Sequence, residues 1–205
     1  MPIENTAMME PGYSRTVSIA DLPMERTGMH GMLSERYGFD QAESDGLSRF
    51  LDDTAKIESE GGVDNPDSSA RGTFQFLTHG DDNSFQTGLN RLSTAYRKLG
   101  GEVPEWVSGA RDHGDPGMLS ESQQRDLALG NLFSSIKDPE ETERLFRGAS
   151  GGDSDAAVEL YMKYHHRGSG GDKATKRARS RAASIYSGAY GHGGLVRDSR
   201  GRGLF

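Results

Sequence analysis

The chain has 205 residues and no cysteine, so it can form neither a disulfide framework nor a thiolate zinc site. This length suits one domain with extra segments at its ends, and 33% hydrophobic residues with 28 glycines indicate a modest core joined by loops. A net charge of −7 argues against non-specific nucleic-acid binding by the chain as a whole.

Residues 1–44 are mixed and polar, with weak periodicity, and we expect an extended or partly ordered, flexible arm there. The segment lacks a basic region followed by an apolar stretch, so the sequence predicts no secretory signal peptide. No apolar run approaches the roughly 20 residues that cross a bilayer, which predicts no transmembrane segment.

Residues 45–59 show the clearest helical pattern in the chain, with Asp45 as the expected cap and Gly61-Gly62 as the stop. The following stretch, residues 60–80, is predicted to be a loop with a short extended piece, because Thr73, Phe74 and Phe76 favour strand geometry. The apolar face of the helix is formed by Leu47, Phe50, Leu51, Thr54 and Ile57.

Further helices are predicted over residues 84–99, 154–166 and 172–187. Two more are indicated by a capping box from Ser120 to Gln123 and by the helix-initiating pair Asp138-Pro139. The sequence therefore predicts a mainly α domain over residues 45–187, with about six helices and a small β element, followed by a flexible tail over residues 188–205.

Glu58 lies at the end of the first strong helix, seven residues after Leu51 and eleven after Leu47, which places it on the apolar face. Partial burial disfavours the charged form of a carboxylate, and the carboxyl end of a helix dipole acts in the same direction. Those conditions suit a general acid. The alternative is an ordinary helix-end glutamate that points to solvent or pairs with Lys56.

The residues after Glu58 form an ordered pattern of Glu58-Ser59, then Asn65-Pro66, then a segment from Ser69 through Gly72 to Gln75-Phe76. This pattern resembles the signature of the soluble lytic transglycosylases, although the usual Leu-Met between the Gly and the Gln is Thr73-Phe74 here. The resemblance implies a lysozyme-like α+β fold and makes Glu58 the catalytic residue. It also implies substrate-binding roles for Ser59, Asn65, Gly72, Gln75 and Phe76, with Gly72 letting the backbone approach a sugar closely.

A fainter match to the family continues downstream, from Tyr161 to Gly168, where the family has a Tyr that positions the catalytic carboxyl. Tyr164 is the candidate and Tyr161 the reserve; the alternative is that both are core aromatics. His165 is interpreted as a polar residue of the groove, because its neighbour His166 points about 100° away on a helix and the two cannot share a metal. No metal and no organic cofactor are implied.

The implied reaction cleaves the β-1,4 bond between N-acetylmuramic acid and N-acetylglucosamine in peptidoglycan glycan strands and leaves a 1,6-anhydro product. A single carboxyl serves both steps, unlike the two-carboxylate scheme of most glycosidases. The alternative is a hydrolytic muramidase in which a second acid activates water. The nearby acids are Asp52, Glu60, Asp64 and Asp67.

The setting expected for such an enzyme without an export signal is a phage virion, acting on the host periplasm or cell wall during genome ejection, with other virion proteins as partners. A rival reading is a structural or ejection protein of the virion with a lysozyme-like fold and little activity. The basic run from Lys173 to Arg181 is either a solvated helix face or a contact with nucleic acid, an anionic partner or a membrane surface.

Overall fold

The computed structural model describes residues 28–59, 70–78, 84–165 and 172–190. They form eight α-helices, one short hairpin, a 3-10 turn at Pro116–Met118 and a π-helical turn at Tyr161–His165. The α-helices are α1 (Gly28–Tyr37), α2 (Gln41–Ser59), α3 (Ser84–Lys98), α4 (Trp106–His113), α5 (Glu121–Ser135), α6 (Pro139–Ser150), α7 (Ser154–Leu160) and α8 (Asp172–Tyr190). The mainly helical fold with a small β element is confirmed; α1 and α4 bring the helix count in this part of the chain above the expected six.

Helix α2 is the longest element of the amino-terminal half, and it begins earlier than predicted. Asp40 accepts a hydrogen bond from the Glu43 amide at 2.8 Å, and the Glu43 carboxylate accepts one from the Asp40 amide at 3.0 Å. This reciprocal pair starts the helix at Gln41, so the prediction of Asp45 as the cap is wrong. The predicted apolar face from Leu47 to Ile57 is confirmed, since its five side chains are buried.

Part of the predicted arm belongs to the packed domain. Residues 28–44 contain α1 and the start of α2, and the side chains of Met29 and Leu33 are fully buried. The carboxylate of Asp126 on α5 accepts a hydrogen bond from the Met29 amide at 2.9 Å, which fixes the first turn of α1 on α5. Residues 1–27 and the tail after residue 190 lie outside the described residues.

The β element is a hairpin of two short antiparallel strands, β1 (Ala70–Arg71) and β2 (Phe76–Leu77). Ala70 pairs with Leu77 and Arg71 with Phe76. Thr73 and Phe74 were expected in a strand but lie in the connecting turn, because Gly72 adopts a left-handed backbone conformation with φ of 74° and reverses the chain there.

The two predicted helix starts in the carboxyl-terminal half are confirmed. Ser120 and Gln123 form a capping box at α5, and Asp138 caps α6 with Pro139 in its first turn. The predicted helix over residues 154–166 divides instead into α7 and the π turn. Helix α8 extends to Tyr190, past the predicted start of the tail at residue 188. None of the helices described is both long and apolar enough to span a bilayer.

Candidate active site at the end of α2

Glu58 is half-buried in the last turn of α2, where the phenol of Tyr161 donates a hydrogen bond to its Oε1 atom at 2.5 Å. The contact joins residues that are 103 positions apart, so it depends on the packing of the π turn against the end of α2. A carboxyl held at one oxygen by a fixed phenol has a defined orientation. It can exchange a proton with a hydroxyl or ether oxygen bound beside it.

The tyrosine observed in contact with Glu58 is the reserve candidate, Tyr161. The side chain of Tyr161 is only 2% exposed. Burial raises the pKa of Tyr161, and the adjacent charge of Glu58 and their hydrogen bond raise it further. Tyr161 therefore remains a neutral donor across the working pH range. Tyr164 and His165 lie in the same π turn, and their side chains are outside the described part of the structure.

An aromatic cluster that includes Tyr186 and Phe50 holds the ring of Tyr161 in place. The ring of Tyr186 on α8 lies edge-on to Tyr161, with 6.4 Å between ring centroids, and stacks on Phe50 of α2 at 5.6 Å. The Tyr186 hydroxyl is 2.8 Å from the Thr54 hydroxyl, which also donates to the Phe50 carbonyl. These contacts fix the rotamer of the residue that orients Glu58. The helical pattern of the sequence places Thr54 and Phe50 on the apolar face of α2 but gives no indication of the role of Tyr186.

Two cations near the end of α2, Lys56 and Arg181, are engaged with other groups. Lys56 pairs with Asp53 at 2.8 Å, and this contact raises the pKa of Lys56, so the sequence alternative of a Lys56–Glu58 pair is not the observed arrangement. The guanidinium of Arg181 on α8 donates to the Lys56 carbonyl at 3.3 Å. A cation at the carboxyl end of a helix stabilises the exposed carbonyls there. Arg181 therefore supports the turn that carries Glu58.

The hairpin positions Gln75 but uses Gly72 differently from the expectation. The Gln75 side chain donates to the Gly72 carbonyl at 2.8 Å, across a turn in which Gln75 itself has φ of 49°. Gln124 on α5 accepts from the Thr73 amide at 2.6 Å and donates to the Leu119 carbonyl at 3.0 Å. A Cβ on Gly72 would lie 2.6 Å from the Gln124 side-chain oxygen. The glycine is thus required by this contact with α5, and the expected close approach of a sugar at that position stays a prediction.

The other candidates divide between the core, the end of α2 and the undescribed residues. Phe76 is 3% exposed and belongs to the hydrophobic core, because it occupies the inward-facing position of β2. Its expected role in substrate binding is therefore wrong. Ser59 is the last residue of α2, and its side chain is not described; Asn65 lies outside the described residues.

Of the acids considered as a second carboxylate, Asp52 forms an ion pair with Arg125. The other three, Glu60, Asp64 and Asp67, lie outside the described residues.

A separate cavity of about 350 Å³, whose lining does not include Glu58, was not anticipated. It borders the first five helices, α1 to α5. It contains Asp126, whose carboxylate accepts hydrogen bonds from the Met29 amide and from the Tyr96 phenol, each at 2.9 Å. Burial raises the pKa of Asp126 to about 6. The available signal was an acid directly before the apolar run Leu127-Ala128-Leu129, and its burial depends on contacts with Met29 of α1 and Tyr96 of α3.

In the described ranges, no three His, Asp or Glu side chains cluster as metal ligands would. Comparison with known proteins gives no relative: no family model matches the chain, and no curated protein or solved structure is significantly similar to it.

Proposed function

We propose that this protein is a peptidoglycan lytic transglycosylase in which Glu58 is the acid and base. The observation that carries the proposal is the hydrogen bond from Tyr161 to Glu58 at 2.5 Å. The resemblance of residues 57–76 to the lytic transglycosylase signature nominates Glu58 as the catalytic residue and a downstream tyrosine as its orienting partner. The packing of the chain brings such a tyrosine to that glutamate, independently of the sequence pattern.

In the proposed reaction, Glu58 in its protonated form gives its proton to the glycosidic oxygen between N-acetylmuramic acid and N-acetylglucosamine, and the bond from that oxygen to C1 breaks. The carboxylate then takes the proton of the muramic acid 6-hydroxyl, whose oxygen bonds to C1. The products are a free 4-hydroxyl on N-acetylglucosamine and a 1,6-anhydro sugar, and Glu58 regains its proton. Water is not consumed, so one carboxyl suffices.

Tyr161 acts in this scheme as a positioning residue. Its hydroxyl holds Oε1 of Glu58, and its ring is fixed by Tyr186. Because the same carboxyl works first as acid and then as base on different substrate oxygens, its orientation affects both steps.

Hydrolysis by a muramidase is the second candidate, and the ion pair between Asp52 and Arg125 weighs against Asp52 as its water-activating base. The virion setting, with action on the host cell wall during genome ejection, is proposed along with the activity.

The test is digestion of purified sacculi by wild-type protein and by the Glu58→Gln variant, with soluble muropeptides separated and weighed. We expect anhydro-muropeptides from the wild type and a rate at least roughly 100-fold lower from Glu58→Gln. Glu35→Gln is the matched control, because Glu35 is exposed on α1. Products with reducing ends would favour the hydrolase, and equal clearance by Glu58→Gln would remove Glu58 from the mechanism.

A further inference from the structure

Helix α8 presents a cluster of positive charge that the proposed chemistry does not use. We define the basic surface as Lys176, Arg177, Arg179 and Arg181; the first three side chains are exposed and the fourth is half-exposed. Within the described residues, no carboxylate lies within ion-pair distance of Lys176, Arg177 or Arg179. The positive charge of this part of α8 contrasts with the net charge of −7 of the chain.

The direction of α8 places this surface beside Glu58. Tyr186 of α8 contacts Thr54 of α2. Arg181, which is earlier on α8 by five residues, contacts the carbonyl of Lys56, which is later on α2 by two residues. The two helices therefore run in opposite senses. The residues that precede Arg181 on α8 therefore lie beside the carboxyl end of α2, the turn that contains Glu58.

The angular positions on α8 agree with this placement for Arg177 and Arg181, whereas Lys176 and Arg179 lie toward the opposite flank of the exposed face. Ala182 and Tyr186 are fully buried and mark the inward face. Arg177 and Arg181 are four residues apart and so share one flank of the helix, the flank from which Arg181 reaches α2. The positive charge of Arg181 is also close enough to Tyr161 to lower its pKa, against the larger effect of burial. Arg177 lies about 6 Å further along that flank.

We infer that the basic surface binds the carboxylates of the peptide stems on a peptidoglycan strand whose sugars occupy the site at Glu58. The inference rests on the proposed function. Every stem leaves the strand from a muramic acid, the sugar that the proposed reaction cleaves, so a strand in the site carries carboxylates close to the scissile bond. Arg177 and Arg181 lie on the flank of α8 that faces the end of α2, and Lys176 and Arg179 add positive charge to the same turns of the helix. The cations are therefore placed to meet these carboxylates by electrostatic complementarity.

The same surface is a poorer match for nucleic acid. Its four charges lie within residues 176–181, about 7.5 Å of helix, which is far shorter than a groove that follows a phosphate backbone. The acidic remainder of the chain would also repel such a polyanion. Stem carboxylates need only a local contact beside Glu58.

The test compares the triple variant Lys176→Gln/Arg177→Gln/Arg179→Gln with the matched control Arg36→Gln/Arg97→Gln/Lys98→Gln, which removes three exposed cations from α1 and α3. Arg181 is retained because it supports the end of α2. Binding is measured by co-sedimentation in the Glu58→Gln background, so that no strand is cut. The two ligands are intact sacculi and strands freed of their stems by an amidase, each at low and high salt.

We expect the triple variant to bind intact sacculi roughly fivefold to tenfold more weakly than the control, since each exposed ion pair contributes a factor of about two. The difference should shrink at high salt and disappear on stem-free strands. Equal binding of both variants to intact sacculi, or an equal loss on stem-free strands, overturns the inference. A triple variant that binds sacculi as the control does, and that has lost affinity for duplex DNA alone, also overturns the inference.

Failure of the proposed function gives a different pattern. If wild-type protein releases no muropeptides from sacculi, the transglycosylase proposal fails and the inference fails with it. If it releases them while the triple variant binds and cleaves as the control does, only the inference fails. Matching thermal unfolding curves of the two variants show that α8 remains folded.

Discussion

Two tyrosine–carboxyl pairs in this molecule have the same chemistry and different surroundings. Tyr161 donates to Glu58 at the end of α2, and Tyr96 donates to Asp126 in the middle of α5. Asp126 also accepts the amide of Met29, so its pair holds α1 against α5. Glu58 lies half-buried at a helix end beside the basic surface. The comparison teaches that the same pair of groups can serve two roles according to its position: the pair inside the fold joins α1, α3 and α5, and the pair at the edge leaves Glu58 half-exposed for the chemistry that we propose.

The most direct test of this comparison is to remove the tyrosine hydroxyl from each pair in turn. Tyr161→Phe should lower the rate of muropeptide release roughly 10- to 100-fold, because Glu58 loses its fixed orientation. Tyr96→Phe should leave that rate unchanged at a temperature where it stays folded. Its effect should appear in denaturant unfolding, as a loss of about 1–2 kcal/mol when Asp126 loses a buried donor.

These two variants also report where the comparison is mistaken. If Tyr96→Phe unfolds as the wild type does but releases muropeptides more slowly, the cavity at Asp126 takes part in the reaction. The assignment of Tyr161 as a positioning residue predicts that kcat falls in Tyr161→Phe with little change in KM, since the sugar-binding surface is intact.

The second pair can be tested separately through its pH dependence. Burial raises the pKa of Asp126 from 3.8 to about 6, so the folded state holds a proton that the unfolded state releases between these values. Its contribution to stability is therefore complete below about pH 4 and is lost as the pH rises through 6. The free energy of unfolding should fall by about 2 kcal/mol over that range, allowing for the opening of the cavity beside Asp126.

Urea unfolding from pH 4 to pH 7 measures this change in wild type and in Asp126→Asn, where it should be absent. Asp112→Asn, at an exposed position of α4, is the control and should follow the wild type. A wild-type curve that rises over the same range, and does so equally in Asp126→Asn, would show that another group controls the pH dependence.

A smaller effect is expected at the hairpin, which contacts α5 through Gln124. Gly72→Ala should destabilise the protein by about 1–2 kcal/mol, because the left-handed φ of 74° and the contact with Gln124 both oppose a Cβ. Gly109→Ala is the matched control: it lies within α4 with open space around its Cα, and it should stabilise the protein by about 0.5–1 kcal/mol. Thermal unfolding distinguishes them, and equal shifts would contradict this account of Gly72.

Local signals in the sequence predicted the elements that depend on neighbouring residues. The capping box at Ser120, the helix start at Asp138-Pro139 and the apolar face of α2 are set within a few positions of the chain, and all three are confirmed. The start of α2 was missed because the capping residues Asp40 and Glu43 lie before the apolar pattern becomes regular.

Long-range contacts explain most of what the sequence did not predict. The contact of Tyr161 with Glu58 depends on a π turn, which changes the direction of successive side chains, and on the docking of that turn against α2. The burial of Phe76 likewise depends on which face of the hairpin meets the core. Neither property can be read from periodicity in one segment.

Mass analysis of the sugar ends released from sacculi tests the central claim, that Glu58 alone transfers the proton in both directions. Wild-type protein should release fragments that end in 1,6-anhydro-muramic acid, one water lighter than hydrolysis products, and Glu58→Gln should release almost none. Anhydro ends that accumulate at the wild-type rate in Glu58→Gln would contradict the account.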